Sequence, residues 1–599
     1  MSNPWNGKAV LQVFFWNCWN AQYPADWYTY IAKLTPRLAT LGFDGIWTPP
    51  PSKDTDAINN MGYTPFDYYD IGQKNQCGAT GTRFGTQDSF LRMIAVAHAN
   101  GLEVYPDIVL DHCGSGSPDP ESPYQDDQHR FSLIQPIGFA GEGTGRWQRN
   151  WLDFHPNPQH WNTVGEWPAD DFGKDFCYQG RCTDSGAGDP NCAARRNARA
   201  WLTWLVRQTG VDGVRFDDVK GFPPEVVEDV LYNAMGDRRD YYCAGELVPD
   251  NGLADLDKWA DATLNRAGTF DFSFREALVE LVSSEGYFDV GHLPSTQQHN
   301  RFKTTPFVND HDSYDGQVRP YLDPDNPRTP LAYALAVAVD GSPMFFYADL
   351  FHNVQPWSIG TAAEEIPTRP WAVNLLWCHQ KLAFKSGDYF VRYQDSEQLL
   401  IIERGARAIV AINNDGDSWH DAWISTAFFP HTQLHDYSGS RPDDIWTNQD
   451  GWVQIAVPPL SYSVWGPAGV TGGFEPSARR TLQQFEMDDD LGDASAGSLG
   501  YGGRAVSETY RSAGAIWPAP GSQVNLEISA DGPQTVDLQV SDGTNVVLQT
   551  SGSTVLSASF VAATEAYYVL KAKLNQADAP PARLYIKADY MGAATSTAF

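Results

Sequence analysis

Over residues 1–390 the chain repeats one pattern, a short apolar run rich in β-formers followed by a stretch with helical spacing. The runs are LQVFFW (11–16), DGIWTPP (44–50), LEVYPDIVLDH (102–112), GVRFDDVK (213–220), YYCAGEL (241–247), TFDF (269–272), TTPFVNDHD (304–312) and SPMFFYAD (342–349). Between them, Ala198, Trp201, Leu202, Leu205 and Val206 keep the spacing of a one-faced helix that ends at Gly210, and Phe90, Met93, Ile94 and Ala97 do so before Asn100-Gly101. Alternation of this kind predicts a parallel sheet covered by helices. Eight runs predict an α/β fold, a (β/α)8 TIM barrel, over 1–112 and 196–390.

Residues 113–195 break the rhythm; they are rich in Gly, Pro, Asp and Asn, as an insertion domain after strand 3 would be. From 391 to 467 the runs LLIIERG, AIVAINN, WVQIAV and YSVWGP alternate in the manner of a small antiparallel β domain. After a Gly/Pro linker, GPAGVTGGFEP (466–476), residues 477–599 predict a C-terminal β-sandwich. The acidic run LQQFEMDDDLGD (482–493) suits a structural calcium site or a solvated linker, the linker being slightly favoured. Trp517 and Tyr567-Tyr568 suit either the sandwich core or a sugar-stacking platform, core packing being the commoner use.

With 42 Lys+Arg against 74 Asp+Glu the net charge is −32, which opposes binding to nucleic acid or to anionic lipid headgroups. No apolar run approaches the ~18 residues of a membrane span. The opening residues MSNPWNGKAVLQVFFW lack a charged n-region and a cleavage site, so a cytoplasmic chain is expected, or a secreted one whose leader has been removed. A monomer is the expected working form. Cys18, Cys113, Cys243 and Cys378 read as buried thiols, while Cys177, Cys182 and Cys192, in a polar stretch, leave room for one disulfide.

Ionisable residues at the C-terminal ends of barrel strands face the active-site mouth. Four runs end in them: Asp111-His112, Asp217-Asp218, Glu246 and His311-Asp312. Arg215 and Asp217, two apart on one strand, share a face, and a guanidinium beside a carboxylate favours the anion that a nucleophile must be. Glu246, between Gly245 and Leu247, is expected in less polar company, which suits a general acid. Two such carboxyls are what cleavage of a glycosidic bond requires.

Together, DIVLDH (107–112), GVRFDDVKG (213–221), GELV (245–248) and FVNDHD (307–312) resemble the four short regions of the α-amylase family of glycoside hydrolases. The segment MGYTPFDYYDIGQKNQCGATGTRFGTQDSF (61–90) is similar to that of its liquefying and maltooligosaccharide-forming members. The resemblance covers roughly residues 10–465. It implies Asp217 as nucleophile, Glu246 as acid/base and Asp312 as the third carboxylate, with Tyr63, His112, Arg215, Lys220 and His311 binding substrate. It further implies retaining cleavage of α-1,4-glucosidic bonds in starch, glycogen or maltooligosaccharides, with endo attack. The rival readings are a transglycosylase of the same family and a non-catalytic glucan-binding protein. The resemblance also implies a structural calcium ion held by Asp111, Asp184, Asp175 and the Gly221 carbonyl. The sequence departs from the family pattern at Asp111 (usually Asn), at Lys220-Gly221 (Lys-His) and at Asn309-Asp310 (Asp-Asn).

Overall fold

The structure is a computed structural model, which describes residues 7–19, 25–114, 146–147, 149–155, 157, 174–178, 192–299, 301–316, 318–352, 366–394, 397–475, 479–487, 510–530, 535–553, 555–574 and 584–593. Eight short parallel strands alternate along the chain with helices, in the (β/α)8 arrangement expected: β1 Val10–Gln12, β2 Gly45–Thr48, β3 Glu103–Ile108, β4 Val214–Phe216, β5 Cys243–Gly245, β6 Gly268–Phe270, β7 Thr304–Thr305 and β8 Met344–Phe346. The helices are α1 Trp27–Leu41, α2 Gln87–Ala99, α3 Ala193–Thr209, α4 Pro224–Met235, α5 Leu253–Ala262, α6 Phe272–Ser283, α7 Thr329–Ala338, the four-residue α8 Tyr347–Leu350, and α9 Pro370–Lys381. The strands are buried almost throughout, polar members included, because a parallel sheet is covered on both faces. By internal contacts the chain forms two compact units, one of residues 1–18, 37–47 and 239–475, the other of 19–36, 48–238 and 476–599.

In the first unit β5 pairs with β6 and β6 with β7, while β8, β1 and β2 pair in turn. A parallel bridge from Phe307 to Met344 joins the two runs just past the end of β7. The same unit carries an antiparallel sheet of six strands, Tyr389–Tyr393, Leu399–Arg404, Ala408–Asn413, Ser461–Pro467, Gln433–Asp436 and Ile445–Trp446, in that spatial order. A second pair, His420–Ser425 with Trp452–Val457, closes over a core of Leu399, Ile401, Ile409, Ile455 and Trp465. The Gly/Pro segment that follows is fastened down. Trp377 Nε1 donates to Gly472 O at 2.8 Å, Lys381 lies over the Phe474 ring, and that ring packs where a Cβ on Gly42 would sit.

In the second unit β3 pairs with β4, and α2 and α3 bury the apolar faces their spacing predicts. Thr86 and Ser89 form a capping box at the start of α2, and α3 ends at Gly210, whose φ of 75° places it in the left-handed region. Residues 479–592 form a sandwich of two four-stranded antiparallel sheets around Phe485, Val524, Leu526, Leu538, Leu570 and Ile586. The sandwich rests on α2. The Arg92 guanidinium lies 4.5 Å from the Tyr567 ring centroid, Tyr567 OH donates to Asp88 O at 3.2 Å, and Gln483 Nε2 is 3.2 Å from His98 Nδ1.

Two expectations are corrected here, and the core-packing reading of the C-terminal aromatics is borne out. Residues 482–487 of the acidic run belong to a strand, Arg479–Met487, paired along its length with Leu584–Gly592. Trp517 and Tyr568 are buried in the sandwich and Tyr567 is turned onto α2, so these rings form no exposed platform. Cys192 is a buried thiol, its pKa pushed up to about 11 chiefly by burial; Cys182 lies outside the described residues. Cys18, Cys113, Cys243 and Cys378 are buried as read.

Candidate active site

Register sets the site residues of the second unit. Asp107 stands opposite Arg215 in the β3–β4 pair. Arg215 Nη1 donates to Asp107 Oδ1 at 2.7 Å and to Asp217 Oδ1 at 2.6 Å, and Tyr63 OH donates to Asp107 Oδ2 at 2.9 Å. Asp107 and Arg215 are sealed from solvent, whereas Asp217, just past the end of β4, keeps 9% exposure. That arrangement sets a fixed positive charge against the Asp217 carboxylate. Tyr63 is presented by a tight turn in which Gly62 has a φ of 95°, and a Cβ there would meet Pro50 at 2.9 Å. His112 bonds the Tyr63 carbonyl through Nε2 at 2.7 Å and Asp111 Oδ2 through Nδ1 at 3.0 Å. Burial lowers the pKa of His112, but the Asp111 hydrogen bond and charge, with Asp217 and the Tyr63 carbonyl, outweigh it and raise it to about 9.

In the first unit Glu246 follows β5 directly, and the segment after β7 carries Asp310, His311 and Asp312. Arg319 binds three carboxylates. Its Nη2 donates to Glu246 Oε1 at 2.6 Å, and its Nη1 to Asp310 Oδ2 at 3.1 Å and to Asp312 Oδ2 at 3.2 Å. The guanidinium also lies 4.8 Å from the Phe272 ring centroid. Trp16 Nε1 donates to Asp312 Oδ1 at 3.2 Å. His311 is fixed by Gln12, which contacts its Nδ1 at 2.8 Å and accepts from its backbone N–H at 3.2 Å, and by the rings of Phe14, Trp16 and Trp47. Burial raises Asp310, but Arg319, His311 and Arg275 overcome it and its pKa falls. For Asp312 burial, together with Glu246 and Asp310, wins over His311 and Arg319, and its pKa rises.

The family model described as "Alpha amylase, catalytic domain" matches residues 20–241, and that described as "Alpha-amylase C-terminal" matches 408–466. Both segments match the α-amylase family of glycoside hydrolases. The α-amylase of Geobacillus stearothermophilus is 25% identical over 510 residues, covering 78% of this chain and 88% of its own. A glucan 1,4-alpha-maltohexaosidase of Bacillus sp. (strain 707) is 22% identical and covers 77% of this chain and 93% of its own. In fold, the solved α-amylase from Malbranchea cinnamomea overlays with a TM-score of 0.55 at 16% identity, over 78% of this chain and 98% of that one. The chain is thus an α-amylase-type enzyme.

In this α-amylase-family chain, each unit assembles its own share of the residues read from sequence. Tyr63, His112, Arg215 and Asp217 form one hydrogen-bonded group with Asp107 and Asp111; Glu246, His311 and Asp312 form another around Arg319. Lys220 lies in the turn after β4, partly exposed. Of the residues expected to hold calcium, Asp111 and Gly221 come together, since a Cβ built on Gly221 would fall 1.8 Å from Asp111 Oδ1. Asp175 lies across an antiparallel ladder from His112, its carboxylate 2.7 Å from His155 Nδ1. Asp184 lies outside the described residues. A close carboxylate and a bare glycine backbone fit a hard cation that takes oxygen ligands. Asp310, His311 and Asp312 also bring ligand atoms within 4.8 Å of one another, but Arg319 already supplies the positive charge there.

One expectation fails at the site. Glu246 is not in apolar company; it carries an ion pair with Arg319. Neither Arg319 nor the bridging part played by Asp107 was read from the sequence. Asp107 opens the DIVLDH run and could have been found from strand register, whereas Arg319 lies in an irregular segment that no periodicity marks.

Proposed function

We propose that the chain hydrolyses α-1,4-glucosidic bonds of starch, glycogen or maltooligosaccharides, by endo attack and with retention of configuration. Asp217 attacks the anomeric carbon as Glu246 gives its proton to the leaving oxygen, so the glycosidic C–O bond breaks and a glycosyl ester forms on Asp217. Glu246, now a carboxylate, takes a proton from water, whose oxygen displaces Asp217 and releases the sugar. Asp312 holds the sugar being cleaved, Tyr63 stacks on it, and Arg215, His112, His311 and Lys220 support these contacts. The observation that carries this reading is the buried Asp107–Arg215–Asp217 chain, which sets a permanent cation against the Asp217 carboxylate. The names of the relatives support the substrate class.

Asp111, Asp175, Asp184 and the Gly221 carbonyl would hold calcium, which when bound ties the insertion to the turn after β4. The domain limits that go with this reading are 1–112 and 196–390 for the barrel, 113–195 for the insertion, 391–467 for the antiparallel domain and 477–599 for the sandwich.

The test is reducing-sugar release from soluble starch, with product sizing, by the parent and by Glu246→Gln and Asp217→Asn. Both variants are expected to lose turnover by at least about a thousandfold. A parent that binds starch yet releases no sugar would overturn the hydrolase reading, and products mainly of transfer would favour the transglycosylase.

A further inference from the structure

Arg319 holds a position that the reaction does not explain. A general acid must carry a proton, yet the Glu246 carboxylate accepts a hydrogen bond from a guanidinium at 2.6 Å. The sequence supplies the reason for a cation here. Where the family pattern has Asp-Asn before the last His, this chain has Asn309-Asp310, so the carboxylate of the pair stands directly beside His311, two residues from Asp312. Asn309 is taken up elsewhere, bonding Leu322 O at 2.7 Å and Asp349 Oδ2 at 2.8 Å. Asp310 is tied into its own turn by Ser313, whose backbone N–H donates to its Oδ1 at 2.8 Å. Three carboxylates, Glu246, Asp310 and Asp312, are left to share Arg319.

We propose that Arg319 is a positioning residue for the acid/base, which it holds in its resting orientation while setting how readily Glu246 takes up a proton, in balance with Asp310. This inference rests on the assignment of Glu246 above. The guanidinium is in direct ion-pair contact with the carboxylate. Its own segment brings Asp310, Asp312 and His311, and α6 brings Arg275, with Glu276 and Asp349 beyond. Arg275 is occupied in holding the segment, donating to Val308 O at 2.9 Å and to Pro320 O at 2.7 Å. Arg319 therefore acts as the adjustable member: removing it takes away the one guanidinium that the three carboxylates share, and removing Asp310 leaves it to the other two.

The two substitutions are expected to act in opposite directions on one observable. The alkaline limb of kcat/KM against pH reports loss of the proton from the acid in the free enzyme. Without the cation the anion is disfavoured, so Arg319→Met should move that limb to higher pH by about one unit or more. Asp310→Asn removes a like charge and concentrates Arg319 on Glu246 and Asp312, so the limb should move to lower pH. Arg319→Lys, a point charge that cannot fork between partners, should fall between parent and Arg319→Met. A limb unmoved in both Arg319→Met and Asp310→Asn would overturn the inference, and if Arg319→Met does not fold, the shift in Asp310→Asn decides alone. Glu246→Gln is assayed in parallel: full activity there would sink the acid/base assignment itself, whereas an inactive Glu246→Gln with unmoved limbs sinks the inference alone.

Discussion

Arg215 joins two carboxylates that lie on different strands, and its removal acts on them unequally. Asp107 is fully buried, and breaking a buried ion pair such as its pair with Arg215 costs about 3–5 kcal/mol. Arg215→Ala is therefore expected to lower thermal stability as well as turnover, which calorimetry beside the starch assay would separate from a purely chemical lesion such as Asp217→Asn. Legibility at this scale followed geometry. Arg215 and Asp217, two apart on one strand, could be paired from sequence because a strand fixes their common face. Arg319 could not, because its partner Glu246 lies 73 residues away, and an irregular segment fixes no face at all.

At the scale of elements, the eight barrel strands were legible because burial on both faces makes them short runs rich in apolar β-formers that recur between helical stretches, and α2 and α3 because one face repeats at helical spacing. The strand Arg479–Met487 was not, and its pattern shows why. Gln483 points inward, accepting from Tyr590 OH and contacting His98, while Leu482 points to solvent with 54% exposure. Polar and apolar positions are exchanged, so the alternation that marks a strand is inverted. Phe485 on that strand is a core residue of the sandwich, and Phe485→Ala should cost about 3–5 kcal/mol, read by chemical denaturation. The cap of α6 carries a pH signature. Asp271 accepts from Phe274 N–H at 3.2 Å, yet burial raises its pKa to about 7. Between roughly pH 4 and 7 the folded chain thus holds a proton that the unfolded chain has released, so this group's contribution falls as pH rises through that window. Asp271→Asn keeps a capping side chain without the charge. Its stability relative to the parent should rise across that pH range, and a constant difference in thermal midpoint from pH 4 to 8 would rule this out.

At the scale of the molecule, the proposed calcium ion would tie the insertion to the turn after β4, so chelation should lower the thermal midpoint and calcium at about 100 times its Kd should restore about 2.7 kcal/mol. Gly221→Ala, which drives a methyl into Asp111 Oδ1, should remove that calcium response while leaving Arg215 and Asp217 in place. Among the described residues no helix is long and apolar enough to cross a membrane. The contact of the sandwich with α2 governs how a shortened chain would behave. Tyr567 covers Arg92, and Gln483 reaches His98, so residues 479–592 form part of the outer packing of that helix. In a chain truncated after Glu475, lower turnover would therefore report a loosened α2 instead of a lost grip on polymer, and grafting the sandwich onto another enzyme would expose a face shaped to fit this helix.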